Sequence, residues 1–289
     1  MAYVHERKSA STARTYKRGA ERFEAFCQEN GIASLKAQPV GFLDRYVSWL
    51  LQEGLSPSSC RLMMAGTTSY LEWRKRQGEV FPHFLPPDLP KLKKKDPYSL
   101  DTDELMRFWR ACALLEDPVR TILILLPLCG LRTEEIATIP LEGGVVVNGE
   151  WIVFNVLGKG GKRRNVPLLP QGKTILGQYI HGWRVYNKPD NPYLFPGHAK
   201  GSHYHTRSIR RHMSRIRREI DLASEITPHV LRKTYLTFLE RAELSPFAIA
   251  KLAGHSNIRT THESYIHHTV KSLIGQLEGA NLPTPPSTP

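Results

Sequence analysis

The sequence lacks a hydrophobic run long enough to cross a membrane. Its longest strongly apolar run, TILILLPLCGL at residues 121–131, is far shorter than the roughly 20 residues that a transmembrane helix needs. The amino terminus, MAYVHERKSASTARTYKR, also lacks the apolar segment that a signal peptide requires. We therefore expect a soluble, intracellular protein.

Cysteine is scarce, and its spacing excludes the usual cysteine-based sites. The chain has four cysteines, Cys27, Cys60, Cys112 and Cys129, and none forms a Cys-x-x-Cys pair. This pattern predicts neither a disulfide framework nor a zinc site, and we expect reduced, mostly buried thiols. The neighbouring histidines His198, His203 and His205 have no cysteine or carboxylate at metal-ligand spacing. We therefore predict that they lie in a loop and bind no metal.

Acidic residues are too few to balance the basic ones. Lysine and arginine number 40 against 27 aspartates and glutamates, which gives a formal charge of +13 and a sequence pI near 9.7. Such an excess favours a polyanionic partner, with nucleic acid ahead of an anionic membrane surface.

The first part of the chain predicts a compact helical domain. Apolar residues recur with helical spacing in TARTYKRGAERFEAFCQEN and GFLDRYVSWLLQEG, and Ser56-Pro57 is a typical start for a third helix ending near residue 78. Residues 79–99 hold five prolines and the lysines Lys93, Lys94 and Lys95. Because prolines interrupt helices, we expect residues 1–78 to form one domain and residues 79–99 to form a linker. Its lysines either contact DNA phosphates or simply face solvent.

Residues 100–289 predict a second, mixed domain. Helical patterns in DTDELMRFWRAC and PVRTILILLPLCG give way to the strand-like runs GVVVNGEWIVFNVLG and RRNVPLLP around the turn GKGGK. We therefore predict a mainly α chain with a small antiparallel β-sheet, in which a helical domain precedes an α+β domain.

The segment HTRSIRRHMSRIRREI predicts a basic amphipathic helix. Its apolar positions Ile209, Met213, Ile216 and Ile220 share one face. Most of its arginines lie off that face, at Arg207, Arg210, Arg211, Arg215, Arg217 and Arg218. Such a helix can contact phosphates, a membrane or a partner groove, or merely face solvent. For an intracellular chain of this charge we favour phosphate contact.

Several residues with side chains suited to catalysis are scattered through the second domain. Arg132 and Glu135 lie three apart in LCGLRTEEIATI, and His229 and Arg232 lie three apart in TPHVLRKTYLTFLE, so each pair shares a helix face. The others are Lys159 in the glycine-rich turn, His255 in LAGHSNIRTT, and Tyr265 in THESYIHH. Taken alone, the His229–Arg232 pair and Lys159 each favour a structural or solvated position over a catalytic one.

Together these residues can break a DNA phosphodiester by covalent catalysis. That reaction needs a nucleophile, cations for the pentacovalent phosphate and an acid for the departing 5′ oxygen. Tyr265 is the candidate nucleophile, Arg132 and Arg232 match the nonbridging oxygens, and Lys159 is the candidate acid. The histidines, His229 and His255, can donate to the phosphate, and one can accept the tyrosine proton.

At these six positions the chain resembles the tyrosine recombinases, the phage-integrase family. The surrounding segments GLRTEE, GKGGKRRNVPL, TPHVLRKT and LAGHSNIRTT resemble the family boxes. The resemblance spans residues 100–268, and residues 11–78 are more loosely similar to the family's helical core-binding domain. Tyr265 lies one residue further from His255 than is usual in the family. We retain it as the nucleophile because no other tyrosine follows His255.

The resemblance implies a site-specific recombinase that clamps double-stranded DNA between two domains. It implies a homotetramer on two synapsed sites, 3′-phosphotyrosyl intermediates, a Holliday junction, no cofactor and no membrane partner. Glu135 would support Arg132, and Tyr265 would act in its own site or in a neighbour's. The expected DNA contacts are Lys93, Lys94, Lys95, Lys162, Arg164, Arg207, Arg210, Arg211 and Arg215. With a prokaryotic or viral source, the protein would act in the cytoplasm at the nucleoid.

The carboxyl-terminal segment TVKSLIGQLEGA predicts a tail helix over about residues 269–280. Its apolar stripe of Val270, Leu273, Ile274 and Leu277 packs either on its own domain or on a neighbouring protomer. The resemblance favours the neighbour, as in a cyclic tetramer. Two rival functions remain: a type IB topoisomerase-like enzyme, and a DNA-binding regulator or architectural protein without catalysis.

Overall fold

The computed structural model describes residues 10–92, 98–148, 151–158, 161, 163–222, 225–253, 277 and 283–286. The chain divides into two compact units, Met1–Lys95 and Asp96–Pro289. In the described residues, no helix has both the length and the hydrophobicity needed to cross a bilayer.

The described residues of the first unit form three helices: α1 (Ala10–Glu29), α2 (Phe42–Gln52) and α3 (Pro57–Arg76). The start of α3 agrees with the sequence-based prediction, since the Ser56 hydroxyl accepts the Ser59 backbone N–H at 3.3 Å and Pro57 occupies the first turn. The predicted apolar face of α2 is buried, including Tyr46 and Leu50. These faces form a core of their own, rich in packed aromatic rings.

Two glycines allow α1 and α3 to pack closely. A Cβ atom at Gly66 would lie 2.9 Å from the Tyr16 carbonyl oxygen and 3.0 Å from the Gly19 Cα. The Thr67 hydroxyl then donates to the Gly19 carbonyl oxygen at 3.2 Å. The helix crossing therefore depends on the absence of side chains at these two positions.

The segment after α3 packs on the first unit. Phe81 and Phe84 are each only 8% exposed and join its core. The Leu85 backbone N–H donates to the Val40 carbonyl at 2.8 Å, and Arg61 donates to the Pro90 carbonyl at 3.2 Å. Helix α3 ends at Arg76, just before the positive-φ Gly78, and no helix forms in the described proline-rich residues 79–92. Apolar side chains fix this extended segment. The functional division at residues 78 and 99 stays a prediction.

The second unit is built around the apolar helix α5, which is buried along its length. Its elements are α4 (Thr102–Ala113), α5 (Val119–Cys129), α6 (Thr133–Ala137), β1 (Val145–Asn148), β2 (Trp151–Leu157), β3 (Arg163–Leu168), a 3₁₀ turn (Pro170–Gly172), α7 (Lys173–Tyr179), a π-helical turn (Ile180–Arg184), α8 (Val185–Asn187), α9 (Thr206–Glu219), α10 (Pro228–Arg241) and α11 (Pro246–Ala253).

The three strands form an antiparallel sheet in the order β1-β2-β3. In its register Val145 pairs with Phe154, and Asn155 pairs with Asn165. Alternate residues of β2 and β3, including Phe154 and Val166, enter the core beside α5. The predicted fold class, a mainly α chain with a small antiparallel sheet, is confirmed.

Replacement of Gly66 with alanine should destabilise the first unit. The added methyl group meets backbone atoms that cannot rotate away, so we expect a loss of about 1–3 kcal/mol in unfolding free energy. Gly177 is the matched control, because a Cβ atom at this helical position meets nothing within 4 Å. Gly177→Ala should be neutral or slightly stabilising. Urea unfolding of both variants tests the account, and equal stabilities would contradict it.

Candidate active site

Gly130 sets the geometry at the end of α5. It adopts a left-handed conformation with φ of 60°, and its N–H donates to the Leu126 carbonyl. A Cβ atom at Gly130 would lie 2.2 Å from the Tyr235 ring of α10. Glycine is thus required both by the turn and by the packing of α10 on α5. The turn leads directly to Arg132 at the start of α6.

Arg232 is a buried cation on α10 with only 6% of its surface exposed. Its Nη1 donates to the Gly130 carbonyl oxygen at 2.6 Å, and its Nη2 donates to the Ala253 carbonyl oxygen at the end of α11. Burial and the nearby charge of Arg132 lower the pKa of Arg232 to about 10. Within the described parts of the chain, no carboxylate forms an ion pair with this guanidinium. It therefore carries a positive charge that an anionic ligand would stabilise.

Glu135 is a buried carboxylate with four hydrogen-bond donors. Its Oε1 accepts from Arg132 Nη1 at 2.8 Å and from Arg164 Nη1 at 2.7 Å. Its Oε2 accepts from the Arg132 backbone N–H at 2.8 Å and from Arg164 Nη2 at 2.9 Å. The Glu135 side chain is 5% exposed, against 39% for Arg132 and 18% for Arg164. Both acceptor atoms are thus committed to the two arginines.

These bonds keep Glu135 ionised. Burial alone raises the pKa of this carboxyl, but the hydrogen bonds and charges of Arg164 and Arg132 outweigh it and lower the pKa from 4.5 to about 2. Three arginines and one carboxylate leave a formal charge of +2 in this part of the unit. Such a cluster suits a phosphate group.

The structure brings several of the predicted site residues into one region. Arg132, Glu135 and Arg232 are linked through Gly130 and α6, and His229 lies exposed on α10 three residues before Arg232. The Thr227 hydroxyl caps this helix by accepting the Val230 N–H at 3.3 Å. Lys159, His255 and Tyr265 fall outside the described residues, so their catalytic roles stay predictions.

Sequence reasoning missed the contact between Arg164 and Glu135. We expected Arg164 to contact DNA, but its two Nη atoms bind the carboxylate, and its Nε is buried without a partner among the described residues. The alternation of side chains along a strand could have indicated this contact, because Arg164 lies on the core-facing side of β3 with Val166 and Leu168. The DNA contact of Arg164 stays untested.

The basic helix α9 has the predicted two faces. Ile209, Met213 and Ile216 are buried, whereas Ile220 ends the helix and is half-buried. The four predicted phosphate contacts, Arg207, Arg210, Arg211 and Arg215, are exposed. Three of them line a shallow groove with Ser208 and Ser214. The Thr206 hydroxyl also donates to Glu134 of α6 at 3.1 Å, which ties α9 to the site region. Lys93, Lys94, Lys95 and Lys162 lie outside the described residues.

Other candidate chemistry receives little support from the geometry. In the part of the chain that the structure describes, no group of three His, Cys, Asp or Glu side chains could hold a metal. The His203 ring packs edge-on against Tyr193. The buried Cys129 lies near the arginine cluster, but burial raises the pKa of its thiol to about 12. A neutral, buried thiol is a poor nucleophile.

Comparison with known proteins identifies the family. Residues 99–272 match the phage integrase family, and residues 2–78 match the phage integrase N-terminal SAM-like domain. The chain belongs to the phage integrase family. It is an enzyme of the tyrosine-recombinase type and acts in site-specific DNA recombination, as its motifs predict.

The similarity extends along most of the chain. The tyrosine recombinase XerC of Rhodospirillum centenum is 30% identical over 290 residues, which cover 96% of this chain and 83% of that protein. The XerH site-specific recombinase in a post-cleavage complex with a palindromic difH substrate shares the fold, with 20% identity, a TM-score of 0.70 and coverage of 85% of this chain and 73% of that chain. A lambda integrase tetramer bound to a Holliday junction has 14% identity, a TM-score of 0.67 and coverage of 90% and 75%.

The ionised state of Glu135 predicts a pH-dependent contribution to stability. The pKa of Glu135 is lower in the folded protein than in the unfolded chain. The stabilising contribution is therefore complete above a pH of about 4.5 and is lost as the pH falls towards 2. A shift of this size corresponds to a contribution on the order of 3 kcal/mol.

We expect Glu135→Gln to be less stable than the parent protein near neutral pH. The difference in unfolding free energy should shrink as the pH falls below about 4.5, because protonation removes the same charge from the parent protein. Denaturant unfolding over a pH series measures this difference. A difference independent of pH would show that the carboxylate charge is not what stabilises the cluster.

Proposed function

We propose that this recombinase cuts and rejoins DNA strands through a covalent bond between Tyr265 and the 3′ phosphate. The proposal rests on the proximity of two arginines, Arg132 and the buried Arg232, in a region of net positive charge. Neither a topoisomerase-like nor a purely architectural role is favoured by the relatives that the chain resembles.

The arginines would bind the scissile phosphate before the reaction begins. Arg132 is more than one-third exposed, and among the described residues Glu135 accepts from only one Nη atom of its guanidinium, so the other donors can meet a ligand. Arg232 is fixed by two backbone carbonyls, so little side-chain freedom is lost when it meets a phosphate. Two oriented guanidinium groups can stabilise the extra negative charge of the pentacovalent transition state.

The reaction is a balanced transesterification. The Tyr265 phenolic oxygen forms a bond to phosphorus while the bond from phosphorus to the 5′ oxygen breaks. The phenolic proton passes to His229 or His255, and the departing 5′ oxygen takes a proton from Lys159. Attack by the 5′ hydroxyl of another strand reverses these steps. One phosphoester bond replaces another, so rejoining needs no ATP.

Both units would bind the DNA duplex. We assign residues 1–78 to core-DNA binding, residues 79–99 to a linker with phosphate contacts, and residues 100–289 to catalysis. The exposed arginine face of α9 is suited to the DNA backbone, because phosphate contacts depend on charge rather than on sequence. A prokaryotic or viral recombinase of this kind would act on DNA in the cytoplasm, at the nucleoid.

Recombination between two sites would require four protomers, as in the lambda integrase tetramer. The proposed contact between protomers is the apolar stripe of the tail helix. Of that stripe the structure describes only Leu277, which is 2% exposed and belongs to the core of its own unit. If the tail helix docks on a neighbouring protomer, either Leu277 stays in the core of its own unit or an equivalent contact on the neighbour takes its place.

The proposal predicts a denaturant-resistant adduct between the protein and nicked suicide duplexes tiled from the DNA that flanks its gene. Loss of the short fragment that carries the newly formed 5′ hydroxyl prevents rejoining and traps the phosphotyrosine. Tyr265→Phe is the matched control because it removes one oxygen atom and keeps the ring. We expect an adduct with the parent protein and none with the variant.

Two results would count against the proposal. An adduct that persists in Tyr265→Phe would assign the nucleophile to another residue. Retarded DNA without any adduct, across complete tiling, would favour DNA binding without catalysis.

A further inference from the structure

Arg164 connects the β2–β3 hairpin, whose turn contains Lys159 in the sequence, to the start of α6, where Arg132 is the N-cap residue. It lies on β3, five positions after Lys159 in sequence, and its side chain crosses to Glu135 on α6. Its two Nη atoms bind the two carboxylate oxygens at 2.7 and 2.9 Å. This paired geometry fixes the orientation of both planar groups more strongly than a single hydrogen bond would. The base of the hairpin is thereby attached to the start of α6.

Arg164 also changes the charge around Arg132. A Glu135 carboxylate bound to Arg132 alone would form a neutral pair, which would attract a phosphate only weakly. With Arg164 included, the three side chains carry a net charge of +1. The carboxylate can therefore orient Arg132 without cancelling its attraction for an anion.

We propose that Arg164 is a positioning residue for DNA cleavage, which orients Arg132 through Glu135 and anchors the hairpin that carries Lys159. The inference rests on the proposed function, because it assigns Arg164 a role in that reaction. It replaces a direct DNA contact as the main role of this side chain. The burial of the Arg164 Nε and the commitment of both Nη atoms to Glu135 support this assignment.

Arg163 provides a matched control on the same strand. It is exposed, and its Nη1 donates to the Asn155 side chain at 2.8 Å on the opposite side of the sheet from Glu135. Arg163→Met and Arg164→Met each remove one guanidinium from the hairpin and lower the total charge by the same amount. Only the second change removes donors from Glu135.

The test is single-turnover formation of the covalent adduct, with DNA affinity measured separately. We expect Arg164→Met to slow adduct formation roughly 10- to 100-fold, because small errors in the placement of reacting groups have effects of this size. Its affinity for DNA should match that of Arg163→Met, whose cleavage rate should stay near that of the parent protein. Arg164→Lys should recover part of the rate, since it restores the charge without the paired geometry.

A pH profile separates positioning from a general loss of stability. Without Arg164 the pKa of Glu135 should rise, because the bonds from Arg164 are the first of the interactions that lower it. The acid limb of the cleavage rate should therefore move to higher pH in Arg164→Met. In a Glu135→Gln background, Arg164→Met should slow cleavage much less, since the group through which it acts is already altered.

The outcomes distinguish the two proposals. If the parent protein forms the adduct and Arg164→Met matches Arg163→Met in both rate and pH profile, the positioning role is wrong and the proposed function stands. If the parent protein forms no adduct, both proposals fail. If a thermal melt shows that Arg164→Met is unfolded, Arg164→Lys becomes the deciding variant. A folded Arg164→Lys protein with the cleavage rate of the parent protein, and with the acid limb of its pH profile unchanged, would also overturn the positioning role.

Discussion

The carboxylate of Glu135 is the group around which the described part of the site is organised. A buried carboxylate is costly unless donors replace the water it has lost. Here two arginines supply four donors, from a short helix and from a strand. The arrangement of α6 relative to β3 is therefore fixed by polar contacts as well as by the apolar core around α5.

Arg232 meets a different constraint in the same region. Backbone carbonyls satisfy two of its nitrogens, and its charge has no carboxylate partner among the described residues. The lowered pKa shows that the fold bears an electrostatic cost at this position. A bound phosphate would reduce that electrostatic cost, as expected of a site that binds an anion.

Local patterns in the sequence predicted much of this fold. The cap at Ser56, the faces of α2 and α9, and the hairpin around the glycine-rich turn all depend on residues close together in the chain. Packing across long sequence distances was harder to foresee. Nothing local indicates that the ring of Tyr235 would cover Gly130, or that Phe81 and Phe84 would join the first unit's core.

The candidate site was likewise predicted in part. The spacing of His229 and Arg232 placed both on one helix, but it did not show that the arginine would be buried and the histidine exposed. The contact between Arg164 and Glu135 joins residues 29 positions apart and was missed. The sequence of a basic chain does not show which arginines are exposed and which are buried. Only their positions along β3 place Arg164 and its neighbour Arg163 on opposite sides of the sheet.

The most direct test is a crystal structure of the Tyr265→Phe protein on a duplex that the parent protein cleaves. The account predicts that nonbridging oxygens of the scissile phosphate lie about 3 Å from guanidinium nitrogens of both Arg132 and Arg232. Glu135 should remain bound to Arg132 and Arg164. A scissile phosphate held by other residues, with solvent between it and these arginines, would contradict the account.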